Sequence, residues 1–354
     1  MNPPRAPRAA AWTTQAERST AWVLRLMRWI AVALGRRVAR VVLHPITFYF
    51  MLFGGAATRA SRAYLRRVLG REPRWSERYR HLHHFASVIL DRVYLLRGDF
   101  HLFDVRVTGA EHLEQVLQSG GGAFLVGAHL GSFEALRALG ESRRGLRIAM
   151  LMYEQNARLM NTTLRAVAPN AQLHVIGLGR MEAMLELRDW LDAGGVAGLL
   201  ADRTLQAPGQ AGAGRSRTHW IRFLGEPAAF SDGAFRLAML LRRPVVSMTG
   251  LYHGDNRYEL RFAPLADFGA LPADRQARDA AVEAAVPRYA RLLEQLCRES
   301  PWNWFNFFDF WAGLPAGGGE TRDATSDPSP LSAAAAGAAD PVPGPAGPGA
   351  RGGL

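Results

Sequence analysis

The sequence predicts an α/β protein, a three-layer sandwich on a mixed central sheet, with membrane-associating helices at its N-terminus. Three observations carry that prediction. Short uncharged runs of strand length, such as Ala123–Gly127 and Val196–Leu200, alternate with longer stretches whose apolar residues recur at helical spacing. The 354 residues are 48% hydrophobic, enough to bury a full core in one domain with appendages. The net charge of +12 is gathered at the front: residues 1–80 hold 16 arginines against Glu17, Glu72 and Glu77, and the remainder is close to neutral.

Composition also excludes chemistry. All 43 basic residues are arginine, so a Walker A lysine, a Schiff base and a Ser–Lys dyad are absent. The single cysteine, Cys297, forbids an intrachain disulfide; in the helical run YARLLEQLCRES it reads as core rather than nucleophile.

Taken in order, residues 1–17 read as a disordered N-terminus without a signal peptide's plan. Residues 18–67 read as a membrane-associating segment. From Arg18 to Arg40 the pattern is an amphipathic helix, with Arg18, Arg25, Arg36 and Arg40 on one face and Trp22, Leu26, Trp29 and Ile30 on the rest. The uncharged run Val41–Ala57 follows. At 17 residues it is short for a span of about 20, and it has arginines on both sides, so a shallow hairpin or monotopic insertion fits better than a crossing. Such a front suits an anionic surface, membrane or nucleic acid; its tryptophans favour lipid.

The main folded α/β domain is expected over 68–315. Arg78–Leu96 reads as a helix whose His81, His83 and His84 lack a carboxylate on the same face, so they read as packing residues and not as metal ligands. His101–Thr108 alternates as a strand and Glu111–Leu117 as a short helix. Then comes Gly121–Gly140, GGAFLVGAHLGSFEALRALG, an apolar strand, a turn at Gly131 with Ser132 as N-cap, and a helix from Phe133. His129 at the strand end and Glu134 in the first helical turn can meet, giving a His–carboxylate pair at the mouth of the sheet. His129 is the one histidine of ten with an acid five residues on, where about one chance match is expected.

Further strands are expected at Leu146–Met152, Leu173–Ile176, Val196–Leu200, Val245–Thr249 and Tyr258–Phe262, about six in the core. A helix should follow Met152's polar loop to Val167. Gly177–Arg180 opens a helix through Leu191, with Arg180 placed to meet an anion. Asp202 and Arg203 close the fourth strand, an acid and a base at a sheet edge. Gln206–His219 is a basic flap, Trp220–Leu224 runs through Gly225-Glu-Pro-Ala toward a helix at Asp232–Leu241, and Arg275–Ser300 is a long helix. The run Trp302–Trp311 is aromatic at nearly every position, a core plug or an apolar lid. Residues 316–354 are Pro-, Gly- and Ala-rich and read as a disordered tail.

GAHLGSFEAL resembles the H-x4-[DE] box of the lysophospholipid acyltransferase superfamily, and its dress is similar to the bacterial lipid A late (lauroyl/myristoyl-type) acyltransferase family. GVAGLLADRT, FLGEPAAFSDGAFRLAMLLRRPVV and PWNWFNFFDFW agree in order, so the likeness spans about Ala21 to Trp311. The resemblance implies a glycerol-3-phosphate acyltransferase-like fold at the cytoplasmic face of a bacterial inner membrane. It also implies transfer of an acyl chain from a carrier thioester (acyl carrier protein or acyl-CoA) to a hydroxyl of a lipid A precursor or related glycolipid. No metal or other cofactor is implied. Asp202 lies in a block that borders the family's active site; Arg203 departs from the polar residue usual there.

On this reading His129 is the general base and Glu134 holds its tautomer. The N–H groups of Gly131 and Ser132 receive the oxyanion, and arginines grip the carrier's phosphopantetheine arm or acceptor phosphates. A phospholipid or an aryl polyene lipid is the alternative acceptor. A non-catalytic nucleic-acid-binding protein and a metal hydrolase built on His81 are the readings from other classes.

Overall fold

A computed structural model describes residues 20–118, 120–136, 146–153, 174–203, 216–270 and 274–312, with side chains from residue 35 onward. The expected disordered ends, the helix beyond Leu136, the loop and helix of 154–167 and the flap at 206–215 lie outside the described residues.

The chain opens with three helices, α1 (Thr20–Phe53), α2 (Gly55–Leu69) and α3 (Trp75–Arg97). Then come β1 (Asp104–Thr108), α4 (Ala110–Gln118), β2 (Ala123–Gly127), β3 (Ile148–Tyr153), β4 (His174–Leu178), α5 (Met181–Asp192) and β5 (Val196–Leu200). The rest comprises β6 (Thr218–Phe223), β7 (Glu226–Ser231), α6 (Gly233–Leu240), β8 (Val245–Tyr252), β9 (Arg257–Ala266) and α7 (Arg275–Glu299).

Seven strands form one mixed sheet in the order β1-β9-β8-β2-β5-β3-β4. β8, β2, β5, β3 and β4 run parallel; β9 is antiparallel to β8, and β1 parallel to β9. From β2 the chain moves outward to β3 and β4, returns to insert β5 beside β2, then crosses to β8 on β2's other flank. That reversal makes β2 a topological switch point, and α/β sheets place their sites beyond the carboxyl ends of the strands at such a point.

Period-two alternation makes the layers. In β2, Phe124 and Val126 join one core with residues of α2, α5, α6 and α7, while Ala123 and Leu125 join a second with α1, α3 and α4. Strands buried on both faces read as near-continuous apolar runs; β2 is one, and β8 is buried throughout although it carries Ser247 and Thr249.

Two features depart from expectation. The segment from Trp220 is a β6–β7 hairpin whose turn residues, Leu224 and Gly225, both take positive φ (51° and 89°). Its second strand was masked by Pro227, which a two-stranded ribbon with open edges tolerates.

The second departure concerns the arginine face of α1. The helix breaks at Gly35 (φ 75°), and beyond it Arg36 and Arg40 turn inward. Arg36 forms a two-pronged ion pair with buried Asp91 (2.8 and 3.0 Å), and Arg40 reaches Tyr252 (2.9 Å) and Asp255 (3.2 Å). Those arginines grip the protein's own body. The outward surface is apolar instead: Val41, Phe48, Tyr49, Phe50, Leu52 and Phe53 are all exposed. With Trp75 and Tyr79 of α3, this end of α1 lines an open groove of about 630 Å³. Among the described residues no single helix is long and apolar enough to cross a membrane; Gly35–Phe53 and Gly55–Leu69 pass that test only as a pair bent by 91°.

Candidate active site

β2 ends at Gly127, and the chain must turn sharply before the helix that starts at Leu136. Gly131 makes the turn with φ of +72°, and a Cβ there would collide with the Gly250 carbonyl of β8. Backbone bonds pin the turn on both sides. Gly131 N–H donates to Asn303 O (2.8 Å), Ser132 N–H to Gly250 O (2.8 Å) and Phe305 N–H to His129 O (2.7 Å). His129 is thus fixed at the strand's carboxyl end with its side chain 31% exposed.

Asp202 arrives from the end of β5, the strand paired with β2. Its Oδ1 lies 2.8 Å from His129 Nδ1. Its Oδ2 accepts from the His129 backbone N–H at 3.0 Å and from the Trp304 indole N–H at 3.0 Å. Burial pushes this carboxyl up, but the imidazole, Arg203 and the Trp304 N–H outweigh it and hold it at about 2. An ionised carboxylate only accepts, so Nδ1 is the donor to Asp202. Among the described residues Asp202 holds the ring from behind through Nδ1, so in the neutral imidazole Nε2 is the basic nitrogen and it is not the one held by protein.

Glu134 occupies a different place from the one its spacing suggested. One oxygen lies 2.6 Å from Arg92 Nε of α3, and the other accepts from Ser132 Oγ at 3.2 Å. The carboxylate that meets the His129 ring is Asp202, not Glu134. The reason is local: the residues between His129 and Glu134 form a pinned turn that hands the acid to α3. The expected oxyanion donors are also corrected, because the Gly131 and Ser132 amides are spent on Asn303 and Gly250.

The model of the bacterial lipid A biosynthesis acyltransferase family matches residues 11–312. The chain belongs to that family. It is therefore an acyltransferase. No curated protein matches it significantly.

In this lipid A-type acyltransferase the sheet brings His129, Asp202 and Arg203 to one edge, with Ser132 and Glu134 buried beside them. Arg203 lies over the Phe308 ring at 5.2 Å. Arg180 stands apart: it is exposed at the start of α5 after β4, which in sheet order is two strands, roughly 10 Å, from β5. Two partners escaped the sequence reading. Trp304 lay in the aromatic run, but nothing there singled out its indole as the donor to Asp202. Arg92 sits mid-helix with no local mark, and only the packing of α3 gives it to Glu134. The aromatic run is a plug: Trp304, Phe305, Phe310 and Trp311 are buried.

Proposed function

We propose that this acyltransferase moves a fatty acyl chain from an acyl-carrier thioester to a hydroxyl of a lipid A precursor or related glycolipid, with His129 as general base. The observation that carries the reading is the His129–Asp202 pair at the carboxyl edge of β2 and β5, which leaves Nε2 as the basic nitrogen. Nε2 takes the proton as the acceptor oxygen attacks the thioester carbon. The tetrahedral intermediate then expels the carrier sulfur, and the same proton passes to that thiolate. Proton transfer of this kind is typically worth 10²–10⁴-fold. No serine nucleophile is required, because the thioester is already activated. Asp202 holds the tautomer and stabilises the imidazolium, the part first given to Glu134. Glu134 holds the turn through Arg92 and Ser132. We assign Arg203, beside Asp202, and the exposed Arg180 to phosphates of carrier or acceptor, which a guanidinium binds through forked hydrogen bonds.

The fold we infer is the glycerol-3-phosphate acyltransferase-like one, supported by family membership and by the seven-stranded mixed sheet. The outward apolar face of α1 and the bent α1–α2 pair support monotopic seating on a membrane, at the cytoplasmic face of a bacterial inner membrane.

The test is purified protein with labelled acyl-carrier thioesters and a total lipid extract. His129→Ala should abolish transfer while circular dichroism and vesicle binding stay intact. Near-normal turnover by that variant would refute the base assignment, and transfer onto phospholipid alone would move the acceptor away from lipid A.

A further inference from the structure

The catalytic pair is backed by a buried chain of hydrogen bonds that runs out to α2. Ser61 of α2 lies 2.8 Å, Oγ to Nδ1, from His81 of α3. His81 Nε2 lies 2.9 Å from the backbone carbonyl of Trp304. The indole of Trp304 donates to Asp202, and Asp202 holds His129. Ser61, His81, Trp304 and Asp202 are all buried. The direction of the bonds is fixed by chemistry. A carbonyl only accepts, so Nε2 must carry the proton, and in the neutral ring Nδ1 then accepts from the Ser61 hydroxyl. Burial holds His81 down at about 4 against the opposing pull of the Trp304 carbonyl, so the ring stays neutral at ordinary pH.

Trp304 needs such an anchor. Its backbone also pairs with Leu130, one residue past the catalytic histidine, in an antiparallel bridge, and the next residue, Phe305, donates to the His129 carbonyl. A shift of this peptide moves the donor to Asp202 and the support under His129 together. We propose that His81 is a positioning residue for acyl transfer: it fixes the Trp304 peptide so that the indole stays on Asp202 and the imidazole keeps its attacking geometry. Because the chain ends on α2, the second limb of the bent pair, the seat of that limb is tied to the alignment of the base. This inference rests on the reading of His129 and Asp202 given above.

The experiment is a double-mutant cycle on turnover. His81→Leu removes the donor, whereas His81→Gln keeps an N–H near the Nε2 position. Trp304→Phe removes the indole donor and retains a ring for Tyr64, which packs edge-on at 5.0 Å between centroids. His81→Leu should lower kcat roughly ten- to hundredfold with KM little changed, as expected for a small misalignment of the base. His81→Gln should recover most of it, and His81→Leu should cost clearly less in the Trp304→Phe background, where the indole donor is already gone and only the backbone support under His129 is left to disturb. Equal losses in both backgrounds would mark His81 as ordinary core and overturn the proposal. Should His81→Leu fail to fold, Ser61→Ala carries the same cycle: a loss in wild type that shrinks with Trp304→Phe supports the chain, and no loss or equal losses overturn it. His129→Ala in the same assay separates the two layers. If it turns over normally, the base assignment falls and the role of His81 with it. If it is dead while the cycle is additive, the role of His81 alone falls.

Discussion

At the residue scale the decisive fact is which acid serves His129. Asp202→Asn keeps the shape but presents an amide that can stabilise the wrong tautomer, so kcat should fall by about 10²–10⁴ with the fold unchanged, measured by steady-state turnover and melting. Glu134 and Arg92 act as one unit, so Glu134→Gln and Arg92→Ala should each weaken the protein by about 1–3 kcal/mol, and the double variant should cost little more than either alone in denaturant unfolding. Equal, additive losses would show that the pair is not coupled. The box itself was legible in its strand and its glycine turn, but Ser132 is no N-cap to a helix from Phe133: residues 134–135 are turn and its hydroxyl goes to Glu134. The partner of the histidine was not legible. Spacing reports only what lies nearby in the chain, and Asp202 reaches His129 from 73 residues away because β5 inserts beside β2. Nor could the sequence reveal that the Gly131 and Ser132 amides were already occupied, since Gly250 and Asn303 approach them from distant elements.

At the element scale, the α1–α2 pair is held to the body by polar bonds and turns its apolar side out. Periodicity found the helix but not which face looks inward, because the partners of Arg36 and Arg40 lie 55 and 215 residues away. Removing Arg36 would leave Asp91, fully buried, with the Tyr258 hydroxyl at 2.9 Å as its remaining neutral donor. Arg36→Ala should therefore cost about 3–5 kcal/mol in chemical unfolding, the usual price of an orphaned buried charge. The exposed side answers to a different experiment. Leu52→Glu with Phe53→Glu places two charges on the outward apolar face, where both residues are more than half exposed (56% and 70%). Co-sedimentation with anionic vesicles should drop while the melting temperature holds; vesicle binding unaffected by the pair would remove α1 from the membrane contact.

At the scale of the whole molecule, two cores on opposite faces of one sheet explain why the layer architecture was readable and the strand order was not. The central strands announce themselves by local apolar runs, but the insertion of β5 between β2 and β3 is a property of crossovers that no window of sequence contains. The helical layer over the second core also carries a cost that depends on pH. His81 and His84 of α3 are both buried. Burial holds His81 down at about 4, opposed by the Trp304 carbonyl; it holds His84 down at about 3, aided by Arg80 and the neighbouring histidines. In the unfolded chain both return to the ordinary histidine value near 6.5, so between there and pH 4 the unfolded state binds more protons than the folded one. Stability is then full above the unfolded value and declines as pH falls through it. By pH 5.5 each of these rings has forfeited about 1 kcal/mol, and half-buried His83, held down at about 4 by burial and by His44 and Arg40, adds a smaller loss; for a chain of this size the sum lowers the melting temperature by about 5 °C. Asp202, held at about 2, stays ionised throughout that window and does not contribute to the slope. Differential scanning calorimetry between pH 7.5 and 5.5 measures the decline directly. His84→Gln should flatten part of it, and a melting temperature that rises or stays level on acidification would show that these rings are not kept neutral by the fold.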